Sequence, residues 1–158
     1  FDGPLVVAGG LSDGHALWAA QALGADLGYM GTRFIATPES LASEAQRRML
    51  VDANWDDIVS SSAFTGLPVN WLRPSLLAAG LDPDALDTAS LKASAAELFG
   101  TRDARSPRRW TELFSAGHSV AGVHGVQAVA TLVDDLAADY DAARRHSHGL
   151  APAGPSRF

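Results

Sequence analysis

Leu5-Val6-Val7-Ala8 is a short, uninterrupted apolar run. A strand of a parallel sheet reads this way when both of its faces are covered. Gly9-Gly10 breaks the run. Ser12 or Asp13 can cap a following helix, whose apolar set Leu17, Ala20 and Leu23 falls at helical spacing. Gly24-Ala25-Asp26 ends that helix, and Leu27-Gly28-Tyr29-Met30 reads as the next strand. Gly31-Thr32 opens a second turn. The pattern predicts two βα units in tandem, each with glycine at the carboxyl end of its strand.

Further along, residues 37–54 read as a helix capped by Thr37 or Ser40, with Ala42, Ala45, Met49 and Leu50 at helical spacing. Arg47 and Arg48 fall on its solvated face. Residues 57–60 read as a short strand or extended segment, and Thr65-Gly66-Leu67-Pro68 as a turn. A helix is predicted over 71–79, with Pro74 near its start, where proline is tolerated, and Gly80 at its end. Another is predicted over 83–98. The clearest stripe is Val120, Val123, Val126, Val129, Val133, Leu136 and Tyr140, every three or four residues, which predicts one helix with an apolar face for packing. From His146 onward, Gly149, Pro152, Gly154 and Pro155 predict a mobile tail.

Composition narrows the function classes. The chain has 158 residues, long enough for one domain with a real core. A net charge of −6 argues against a nucleic-acid footprint, which needs a basic face. The absence of cysteine excludes disulfides and thiolate metal sites. His15, His124, His146 and His148 show no ligand spacing with carboxylates, so no metal is expected. No G-x-S-x-G elbow is present, and a hydrolase triad is unsupported. No stretch has the length of a membrane span. The expectation is a soluble cytoplasmic protein with no nucleic-acid or membrane partner. Arg102, Arg105, Arg108 and Arg109 crowd a charged loop over 100–110. They read as solvent-facing charge or, more sharply, as an anion-binding rim for an acyl-CoA.

The paired glycine turns suggest a phosphate site. Backbone N–H groups at a helix N-terminus supply donors, and glycine permits close approach. In (β/α)8 barrels such a site is commonly built from the loops after the last two strands, which Gly10 and Gly31-Thr32 would be. The bland alternative is an ordinary pair of α/β turns with glycines for chain geometry only.

AGGLSDG followed by GADLGYMGTRFIAT resembles the end of the barrel in the nitronate monooxygenase family, as do AFTGLPVNWLR (63–73) and FSAGHSVAGV (114–123) in the same order. The resemblance covers roughly residues 4–136. It implies an α/β fold: the C-terminal portion of a (β/α)8 TIM barrel, comprising its last two βα units, plus a mainly helical added subdomain. The implied division is 1–37 for the FMN-binding barrel units and 38–113 for an insertion. Residues 114–145 would form a pocket turn and a helix packed on the barrel, and 146–158 a flexible tail. The implied cofactor is FMN, with Gly9, Gly10, Tyr29, Met30, Gly31 and Thr32 as its contacts and Ser115 and His118 in the substrate pocket. Tyr29 and His118 depart from the family pattern, which usually has glutamine at each position. The family's catalytic histidine is expected upstream of Phe1, so no catalytic residue is assigned within this chain.

Strands of this type need neighbours on both sides, and two βα units cannot close a barrel. The chain is therefore expected to be completed by a missing N-terminal barrel half, on the same or a separate chain, with a self-contained fold as the rival. The leading expectation is an FMN-dependent oxidoreductase acting on a small nitronate or related carbon acid, with oxygen reoxidising the flavin. A flavin-dependent enoyl reductase or acyl-CoA dehydrogenase is the alternative. A non-catalytic half-barrel subunit is the third.

Overall fold

The computed structural model describes residues 2–86 and 112–149. The first two elements of the sheet pair as the sequence predicts: β1 (Val6–Ala8) runs parallel to β2 (Leu27–Tyr29), with Val6 beside Leu27 and Ala8 beside Tyr29. Between them lies α1 (Gly14–Ala22), capped by Asp13, whose Oδ1 accepts from the Ala16 amide at 2.8 Å. The helix lies hard against β2. A Cβ on Gly28 would fall 2.2 Å from Leu17 Cδ2, so a larger residue there would push the Leu17 side chain aside. Val7, Leu11, Leu17, Ala20, Ala25 and Met30 fill the space between strand and helix.

The other face of the pair is bare. Strand side chains alternate, and Val6, Leu27 and Tyr29 remain 50%, 60% and 67% exposed. The expectation of a strand covered on both faces is thus met on one face only among the described residues. The cover on α1's side is itself covered. Gly14 of α1 meets α5 (Val129–Gly149) so closely that a Cβ there would lie 2.2 Å from both Leu136 O and Tyr140 N. Tyr140 donates its hydroxyl to Gln21, and its ring meets Trp18 edge-on at 5.7 Å.

After β2 come α2 (Thr32–Ile35) and α3 (Glu44–Asp52). The helix predicted over 37–54 is shorter than expected, and Ser43 caps it by accepting from the Gln46 amide at 3.1 Å. Pro38 disfavours a helical Thr37. The Thr37 and Ser40 hydroxyls instead donate backward, to the Phe34 carbonyl and to the Ile35 and Thr37 carbonyls.

A hairpin follows: β3 (Ile58–Ser61) against β4 (Val69–Leu72), turning through Gly66 at φ +76°. The helix predicted over 71–79 is corrected here. Pro74 disfavours helix before it, so α4 (Arg73–Ala78) starts late and Trp71-Leu72 extend as strand. Residues 83–84 form a turn and 85–86 are irregular, so no helix starts there. The rest of that predicted helix and the arginine loop lie outside the described residues.

Phe114-Ser115 lies alongside β4: the Leu72 amide donates to Phe114 O at 2.8 Å, and Trp71 bridges Ser115. The buried Ser75 hydroxyl accepts from the Phe114 amide at 3.1 Å and donates to Leu72 O. Trp71, Leu72 and Leu76 are all fully buried. The central core gathers Leu50, Leu72, Phe114, Val120 and Val123.

The long valine stripe does not form one helix. A 3-10 helix, His118–Gly122, places Val120 and Val123 in the core. Then Gly125 and its neighbours interrupt the chain before α5, which buries Leu132 and Leu136. Val126 and Val133 stay exposed. α5 continues through Gly149, so the tail predicted from His146 is helical at its start. No helix among the described residues is long and apolar enough to cross a membrane.

Candidate functional site

Parallel pairing sends both strands out at the same rim. Ala8 and Tyr29 are partners, so Gly9-Gly10 leave beside Met30-Gly31, at a strand spacing of about 4.8 Å. Gly9 and Gly10 hold φ of +89° and +72°, where side chains are strained. Gly31 differs. It caps α2 at φ −103°, which any residue adopts, and no atom lies within 4 Å of where its Cβ would be. The backbone here does not require a glycine, and open ground lies beside it.

The side chains around Gly31 are already engaged. Thr32 is buried, and its Oγ1 accepts from the Gly117 amide at 2.9 Å. Met30 joins the cluster under α1. Tyr29 points to the bare face of the sheet. Only backbone groups of Met30 and Thr32 are thus left for a ligand at the rim. α2 is four residues long, so its macrodipole is small. Helix geometry nonetheless leaves first-turn amides without intrahelical acceptors.

The 3-10 helix His118–Gly122 is bonded to the segment after β2 and packs against the loop after β1. At its start Gly117 is held by Thr32. At its end Arg33 Nη1 donates to Gly122 O at 2.6 Å. A Cβ on Gly122 would lie 2.4 Å from Ser12 Cβ, so the loop after β1 presses on the same helix. Parallel pairing places Gly9-Gly10 beside Gly31-Thr32, and the Thr32–Gly117 bond sets the residue before His118 against that second turn. Ser115 is set on the β4 side by its pairing with Trp71. The His118 ring packs on Trp55, with centroids 4.9 Å apart and planes tilted by 43°.

Trp55 is absent from the residues singled out by sequence. Its local signal was Asn54-x-x-Asp57, a capping pattern. Asn54 Oδ1 accepts from the Asp56 amide and the Asn54 amide donates to Asp57 Oδ2, both at 2.8 Å. These bonds set the 3-10 turn Trp55–Asp57. A separate cleft of about 340 Å³ opens behind Arg33, against Asp135 and Asp139 of α5. No group of three or more potential metal ligands occurs among the described residues.

The chain is similar to known proteins over nearly its whole length. FabK from Thermotoga maritima superposes with a TM-score of 0.71 at 24% identity, covering 94% of this chain and 48% of that one. Nitroalkane oxidase from Streptomyces ansochromogenes gives 0.66 at 31% identity, covering 93% and 42%. The α/β fold is similar to both. Among curated proteins, a nitronate monooxygenase of Paraburkholderia phytofirmans is 35% identical over 80 residues, 51% of this chain and 22% of that one. A Mycobacterium tuberculosis protein named (3aS,4S,5R,7aS)-5-hydroxy-7a-methyl-1-oxo-octahydro-1H-indene-4-carboxyl-CoA dehydrogenase is 38% identical over 74 residues, 47% of this chain and 21% of that one. The chain thus spans less than half the length of those two structures and matches about a fifth of each curated relative. A family model described as nitronate monooxygenase matches residues 1–139, and the chain belongs to that family.

Proposed function

We propose that this chain carries the cofactor end of an FMN-dependent oxidoreductase. Residues 1–37 are read as the last two βα units of a (β/α)8 barrel, 38–113 as its added subdomain, and 114–145 as a pocket turn and the helix packed behind it. The bare face bearing Val6, Leu27 and Tyr29 is then covered by strands from the rest of the barrel, on the same or a separate chain. The observation that carries this reading is the convergence of two glycine loops on one rim, with the His118–Gly122 helix bonded to Thr32 and Arg33 after β2 and packed against Ser12 after β1.

The rim suits FMN. Three glycines leave open ground where side chains would otherwise stand, which admits a phosphate to the backbone amides around Gly9, Gly10, Gly31 and Thr32. Tyr29 and Met30 contribute through their backbone. When bound, FMN supplies the redox chemistry, and the protein supplies position and electrostatics. His118 offers a ring N–H to an oxygen of the substrate, and Ser115 a hydroxyl nearby. The group that takes the substrate proton is assigned outside this chain.

The favoured substrate is a small nitronate or related carbon acid, in keeping with family membership and with the relative from Paraburkholderia. A second reading, oxidation of a CoA ester, is favoured by the name of the mycobacterial relative. Reduction of the bound flavin by propyl-2-nitronate or by a saturated CoA ester separates them.

Gly31→Val tests the cofactor site. The backbone at φ −103° accepts a side chain, and a Cβ placed there meets no protein atom within 4 Å. The variant should therefore fold like the parent while losing its yellow flavin absorbance. Unchanged flavin content would overturn the assignment. Parent protein that is colourless and takes up no added FMN would favour a non-catalytic subunit.

A further inference from the structure

We propose that Trp55 is a positioning residue for this site, acting through His118. The inference rests on the reading of the rim as a flavin and substrate pocket, and it adds a residue that the family resemblance did not supply. Trp55 is 61% exposed and belongs to none of the three buried clusters among the described residues. Core packing therefore does not account for it. Its backbone is nevertheless fixed by the reciprocal Asn54–Asp57 capping bonds. The capping bonds fix where the indole leaves the chain, and so which neighbour it can pack on.

What packs on it is the His118 ring, with centroids 4.9 Å apart. His118 directly follows Gly117, whose amide is held by Thr32, the residue after Gly31. A continuous line of fixed contacts thus runs from the 3-10 turn Trp55–Asp57, through His118 and Gly117, to the glycine rim. On a short 3-10 helix an imidazole is otherwise free to change rotamer. The tilted indole contact restricts that freedom and covers part of the ring. The ring's edge remains for a hydrogen bond to a substrate oxygen, whether of a nitronate or of a thioester carbonyl.

The test is a double-mutant cycle in the flavin-bound protein at its full natural length. Trp55→Ala should lower kcat/KM by about three- to tenfold, the range that one aromatic pair contributes, with flavin content unchanged. Trp55→Phe should recover most of the loss. In a His118→Ala background, Trp55→Ala should have no further effect. Losses that add independently, or unaltered turnover in Trp55→Ala, would overturn the proposal. Proton NMR gives a readout that needs no flavin. The His118 ring signals should be displaced by the indole ring current in the parent and return to ordinary positions in Trp55→Ala. Undisplaced parent signals would overturn the contact. Displaced signals in a protein that binds no FMN would support the contact and count against the cofactor reading alone.

Discussion

The parallel pair β1–β2 and the hairpin β3–β4 are each two strands wide, yet they treat their apolar residues in opposite ways. The hairpin closes on α4 and on Phe114-Ser115, and Trp71, Leu72 and Leu76 lose all solvent exposure. Among the described residues, the parallel pair closes on α1 and leaves Val6, Leu27 and Tyr29 largely exposed on its second face. An antiparallel hairpin brings its own neighbour through a short turn. A parallel strand depends on crossovers and on further strands. Among the described residues, the hairpin region thus buries Trp71, Leu72 and Leu76, and the region bearing the glycine rim leaves one face exposed.

The largest expected effect breaks the hairpin side. Trp71→Ala removes a fully buried ring that meets Phe64 edge-on and donates from Nε1 to Ser61 O at 3.3 Å. It should cost about 3–5 kcal/mol in urea denaturation. A loss below about 1 kcal/mol would mean that the hairpin core does not carry the stability assigned to it.

The next sharpens how the open side is held. Gly14→Ala puts a methyl group against the α5 backbone at Leu136 and Tyr140, where no flexible side chain can yield. Overpacking of this kind should cost about 1–3 kcal/mol, read as a lower thermal midpoint by circular dichroism. An unchanged midpoint would show that α1 and α5 do not hold the parallel pair in place.

The smallest effect is the most diagnostic. Leu27→Ala in the 158-residue chain should change stability by no more than about 0.5 kcal/mol, as at other exposed sites. The same change in a completed barrel should cost about 2–5 kcal/mol, as for a buried leucine. Equal costs in the two settings would remove the contrast between the regions.

The sequence made the parallel pair readable because its signals are local. Continuous apolar runs bounded by glycine mark β1 and β2, and Asp13 sits where a cap is expected. β4 was not readable as strand because Trp71-Leu72 adjoin a helix, and periodicity over so few residues fits either state. The stripe from Val120 to Tyr140 misled for a tertiary reason. Its first part turns into the core as a 3-10 helix, and α5 buries Leu132 and Leu136 instead of Val133. At the site, glycine placement pointed to the rim. Neither the engagement of Thr32 by Gly117 nor the contact of Trp55 with His118 could be read, because each joins residues far apart in the chain.

The two fastenings of the His118–Gly122 helix both end on main-chain atoms of that segment: the amide of Gly117 and the carbonyl of Gly122. Among the described residues, neither bond uses the imidazole. Selection can therefore exchange the residue at that position while the seat beneath stays where it is. Thr32 and Arg33 have no such latitude, since their own side-chain atoms make the two bonds.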